Sequence, residues 1–157
     1  MKAVSVSNIK KELQHLSSDE LTELCLRLSK FKKENKELLT YLLFESHDEA
    51  GYIETVKAEV DALFETINTN SYFYIKKSVR KILRLIKKFA RYSLKKETEV
   101  ELLLYFCYKL KTFEPSIAHN VTLTNIYLRQ LVLIKKIVGT LHEDLQYDYN
   151  LKINALA

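Results

Sequence analysis

Between Tyr72 and Lys96 the chain reads YFYIKKSVRKILRLIKKFARYSLKK, with ten positive side chains and not one acid. At about 100° per residue, all of those cations but Lys96 cluster within an arc of roughly 140°. Ile75, Val79, Ile82, Leu83, Ile86, Phe89 and Ala90 fill most of the opposite side. That separation suits a helix burying one face and solvating the other, so the segment is predicted to be a single amphipathic helix. The charge is local. Residues 1–71 hold 9 basic and 13 acidic side chains and residues 97–157 hold 6 and 7, so the formal +5 of the chain comes from this one helix.

What flanks it is predicted to be helical too. Gly occurs twice and Pro once in 157 residues, too few for the turns of a sheet protein. No sustained two-residue alternation bounded by turn residues occurs, so no sheet is expected. A first helix is expected over Asn8 to Leu16, with Ile9, Leu13 and Leu16 inward. A second starts at Ser17, with Glu20 as capping-box partner, and carries Leu21, Leu24, Cys25 and Leu28. After a break at residues 32–35, Leu38, Leu39, Leu42 and Leu43 mark a third, ending near Ser46. The fourth opens at His47-Asp48-Glu49 and carries Ile53, Val56, Val60, Leu63, Phe64 and Ile67. Asn68 to Ser71 make a short turn, so the fourth and fifth helices should be antiparallel neighbours. Thr98 and Glu101 suggest a second capping box before the sixth, which Phe113-Glu114-Pro115 stops. A last long helix is expected over Thr122 to Gln146, with the tail 150–157 frayed.

The expectation is thus an all-α single domain over 1–157, with six to seven helices joined by short links. It is either a compact helical bundle or a short armadillo- or HEAT-like α–α stack. Residues 32–44 echo 95–106, bringing Glu37 onto Glu101 and Tyr41 onto Tyr105, so a pseudo-repeat over 17–67 and 72–147 is one arrangement. No 18-residue apolar run or signal-like start occurs, and the expected location is cytoplasmic.

Motifs for catalysis are thin. His15, His47, His119 and His142 are scattered, and His47-Asp48-Glu49 and His142-Glu143-Asp144 read as solvated helix termini rather than metal sites. Cys25 and Cys107 build no CxxC pair and read as small core residues. With two glycines there is no Gly-rich phosphate loop. No metal, cofactor or catalytic residue is assigned.

The candidate binding residues are Lys76, Lys77, Arg80, Lys81, Arg84, Lys87, Lys88, Arg91 and Lys95. Tyr74 and Tyr92 fall beside the basic arc, either as base-stacking rings or as rings at the core margin. Three readings of the face follow. It binds an anionic macromolecule, it lies on anionic lipid, or it is balanced within the fold. In the last case a hairpin at 68–71 would set Glu65 beside Lys76, Asp61 beside Arg80 and Glu54 beside Lys87. Three acids cannot cancel ten cations. The lipid reading ranks lower, because the core needs the apolar arc. The leading expectation is a non-enzymatic protein–protein interaction module that docks an acidic protein surface. The alternative is RNA or DNA binding through Arg80, Arg84, Lys87, Lys88 and Arg91, with Tyr74 and Tyr92 stacking. The sequence leaves the oligomeric state open.

Overall fold

The computed structural model describes residues 1–157, of which 80% are helical and none is in a strand. Eight helices form, one or two more than the sequence reading expected: α1 (Val6–Leu13), α2 (Ser18–Phe31), α3 (Lys33–Thr40), α4 (Glu49–Glu65), α5 (Tyr72–Ser93), α6 (Lys96–Lys111), α7 (Val121–Val138) and α8 (Glu143–Leu156). A π turn follows α3 at Tyr41–Glu45, and a 3-10 turn precedes α7 at Ile117–His119. The chain divides into two compact units, residues 1–44 and 45–157.

In the first unit, the Ser17 hydroxyl accepts from the Glu20 amide while the Glu20 carboxylate accepts from the Ser17 amide, the expected capping box of α2. A single extended residue, Lys32, separates α2 from α3, and the Asn35 side-chain amide donates to the Leu28 carbonyl across that turn. Leu13 and Leu16 are half-buried, whereas Ile9 is exposed. Cys25, expected in the core, is exposed as well. No residue before Tyr41 is fully buried.

The core lies in the second unit and is centred on α6. Val100, Leu102, Leu103, Leu104, Phe106, Cys107 and Leu110 are all buried, covering about two-thirds of the circumference of α6 at 100° per residue. Helices α4, α5, α7 and α8 each pack on it. Polar contacts give their directions. Glu49 and Asp61 of α4 meet Thr98 and Tyr105 of α6, so those two helices run the same way. Lys96 donates to Thr140, placing the start of α6 beside the end of α7. The Tyr127 hydroxyl donates to the Leu156 carbonyl, so α7 and α8 are antiparallel. α4, α6 and α8 therefore run in one direction, with α5 and α7 returning.

Three expectations fail here. The long last helix is broken at Gly139–His142, where the His142 ring nitrogen accepts from the Asp144 amide and caps a separate helix. That helix continues to Leu156 with Tyr149 and Ile153 buried, so the tail 150–157 is packed rather than frayed. The second capping box does not form, because α6 starts at Lys96 and makes Thr98 an interior residue. Its buried hydroxyl donates instead to Glu49 Oε1 at 2.5 Å, and Ser93 donates to the same oxygen. Lys95 pairs with Glu49 Oε2 at 3.2 Å, so one carboxylate ties the start of α4 to the α5–α6 turn. In that turn Leu94 takes a left-handed conformation (φ 58°), the position where helix ends usually place glycine.

The orientation of α5 is directly testable. Ile86→Ala should lower unfolding free energy by about 2–5 kcal/mol through lost burial and a residual cavity. Lys87→Ala, one residue along and solvent-facing, should stay within about 0.5 kcal/mol. Urea unfolding of both variants measures this, and equal effects would contradict the orientation.

Candidate binding face on α5

Ile75, Val79, Ile82, Ile86 and Ala90 of α5 are buried, and the opposite face turns outward. Lys77, Arg80, Lys81, Arg84, Lys87 and Arg91 are exposed and Lys76 is half-buried. Within residues 45–157 none of these seven forms an ion pair with a carboxylate; pairs there include Lys57–Glu54, Lys95–Glu49, Lys109–Asp61, His142–Asp144 and Lys152–Glu101. From Lys76 to Arg91 this row spans about 23 Å at 1.5 Å per residue. The aliphatic side of α5 is committed to the core, so the helix has no apolar face left to insert into a bilayer.

The internal neutralisation that the hairpin suggested does not occur, although its register does. The Tyr52 hydroxyl donates to the Phe89 carbonyl at 2.9 Å, which is the pairing the short turn implied for α4 and α5. The acids lie on another edge of α4. Asp61 faces α6, accepting from the Tyr105 hydroxyl at 2.6 and 2.7 Å and pairing with Lys109 at 2.9 Å. Glu54 pairs with Lys57 of its own helix. Arg80 and Lys87 therefore form no ion pair with either acid.

The candidate residues are not equivalent. Lys95 is drawn to Glu49 at the foot of α5, and Lys88 lies over the Phe89 ring at 4.9 Å. Tyr74 is 46% exposed, whereas Tyr92 is half-buried with its ring edge-on to Phe89. The face thus contracts to the row from Lys76 to Arg91, with Tyr74 at its upper margin. One ring was missed from sequence. Phe73 is 68% exposed and falls about 60° from Lys76, near the middle of the basic arc. Its ring meets Tyr74 edge-on at 5.4 Å, so two exposed aromatics head the row of cations. The same wheel count would have found it; a phenylalanine beside apolar residues reads as core unless its own angle is checked.

No three His, Cys, Asp or Glu side chains gather as a metal-binding group, and all four histidines are exposed. Burial pushes the Cys107 thiol up to about 12, leaving it protonated and inert at neutral pH. No helix is long and apolar enough to cross a membrane. No family model matches the chain, and neither the curated proteins nor the solved structures contain a match to it.

Burial raises the Asp61 carboxyl, but the Tyr105 and Lys109 hydrogen bonds and the Lys109 charge outweigh it, leaving it below 3.8. A depressed carboxyl contributes stability that is complete above its unfolded value and lost as pH falls through its folded value. Asp61→Asn should therefore cost about 1 kcal/mol at pH 7, a deficit that closes as pH falls below about 3.8. Urea unfolding of both proteins across that range measures it, and a pH-independent deficit would contradict the assignment.

Proposed function

We propose that the chain is a non-enzymatic helical module that binds an anionic macromolecule through the outward face of α5, the partner being a protein with an acidic surface. The observation that carries this reading is the unneutralised row Lys76, Lys77, Arg80, Lys81, Arg84, Lys87 and Arg91 on one rigid helix. Side chains with no internal counter-charge add nothing to the fold through ion pairing, and their alignment on one face suits an extended negative surface. The up-and-down order of α4 to α8 fits a short α–α stack, an architecture whose exposed helix faces serve as docking surfaces.

A second reading, binding of RNA or DNA, is favoured by one specific feature. Phe73 and Tyr74 stand exposed at the head of the cationic row, and single-stranded nucleic acid is held by such a pairing of stacked rings with phosphate-binding cations.

Polyglutamate and a mixed-sequence single-stranded oligonucleotide serve as probes at about 50 mM salt, against wild type and an Arg80→Glu, Arg84→Glu, Arg91→Glu variant. Wild type should retain at least one probe, and the variant should weaken binding by tenfold or more. Retention of polyglutamate alone supports the protein reading. Oligonucleotide binding that also falls on Phe73→Ala transfers the assignment to nucleic acid. Retention of neither probe, or equal binding by the variant, would remove α5 as the binding face.

A further inference from the structure

The first unit carries a surface that the α5 reading does not use. Leu21, Leu24, Leu28 and Phe31 recur on α2 at alternating spacings of three and four, the a and d positions of two heptads. This seam is open: Leu28 is 53% and Phe31 78% exposed, and Leu38 of α3 beside it is 37% exposed. Cys25, Leu28 and Leu38 line an apolar groove of about 240 Å³ between α2 and α3. A hairpin with no fully buried residue before Tyr41 has not completed its own core, and segments this small usually require oligomerisation or another staple.

We propose that this seam is a self-association surface, on which the α2 helix of a second copy of the chain docks antiparallel. Charge chooses the occupant. Glu20 and Arg27 both occupy the g position flanking the seam, seven residues apart and opposite in sign. In an antiparallel pair of identical helices g faces g, so Glu20 of each copy meets Arg27 of the other by two-fold symmetry. A parallel pair would set Arg27 against Lys32 at the facing e position, a like-charge contact. Both groups are available: Arg27 is exposed, and the Ser17 amide occupies only the Oε2 oxygen of Glu20. The remainder of α2 repeats the polarity, with Asp19 and Glu23 in its first half and Lys30 in its last turn, as head-to-tail self-pairing of one helix requires. A unique acidic or basic partner would favour a single sign along the seam.

Sedimentation of the full chain across a concentration series tests this. Wild type should pass from 18.5 kDa to twice that mass. Leu28→Glu should remain monomeric with an unchanged far-ultraviolet helix signal, since its side chain is already half in water. Arg27→Glu, which leaves the Ser17–Glu20 capping box intact, should loosen the dimer about five- to tenfold by losing two symmetric pairs. Adding Glu20→Arg to Arg27→Glu should restore it. A wild type that stays monomeric throughout, or a dimer indifferent to Leu28→Glu, would overturn the proposal. Failure of the double exchange to rescue would overturn the antiparallel register.

Discussion

The second unit depends on the burial of α6. A helix apolar around about two-thirds of its circumference can be kept from water only by neighbours on several sides; here α4, α5, α7 and α8 supply them. Each of those helices then needs a single apolar stripe facing α6, and its other side is free to carry charge. α5 shows the consequence in its strongest form: five aliphatic residues packed inward and seven cations turned out. The charged face is thus a by-product of how the core is covered.

The absence of ion pairs from Arg80 and Lys87 to α4 has a geometric origin. The acids that might have answered α5 are present on α4, and the register of the two helices is the one the Asn68–Ser71 turn imposes. They point elsewhere because α4 also packs on α6. Asp61 is taken by Tyr105 and Lys109, and Glu54 by Lys57 of its own helix. Carboxylates hydrogen-bonded by buried hydroxyls hold α4 to α6 more firmly than exposed pairs with α5 would hold that hairpin. The same choice leaves Arg80 and Lys87 without an ion pair to the acids of α4.

Much of the architecture was legible because the apolar period of each helix is strong and the links are polar and short. The Ser17–Glu20 box, the α4–α5 turn and the inward stripe of α5 follow from residue type and spacing alone. What misled were positions where tertiary contact overrides a local signal. Thr98 resembles a cap but is claimed by Glu49 across the fold. Gly139 did not announce a break, since it takes an ordinary helical φ of −60°, and it is the burial of Tyr149 and Ile153 that orders the last segment. Cys25 sits in a leucine-rich stripe that reads as core, yet the second helix layer that would cover it is missing from its own hairpin. For the binding face, sequence located the cations but not Phe73, and it could not say which carboxylates would be occupied elsewhere.

Lys77, Lys81 and Lys87 form no ion pair with the acids of residues 45–157, and lysine reactivity reads that state side chain by side chain. Brief acetylation of the native protein, followed by peptide mapping, should modify Lys77, Lys81 and Lys87 at the rate of free surface amines. Lys95 and Lys109, paired with Glu49 and Asp61, should react more slowly. If Lys77, Lys81 and Lys87 prove as protected as Lys109, their charges are already answered within the molecule and α5 offers nothing to a partner.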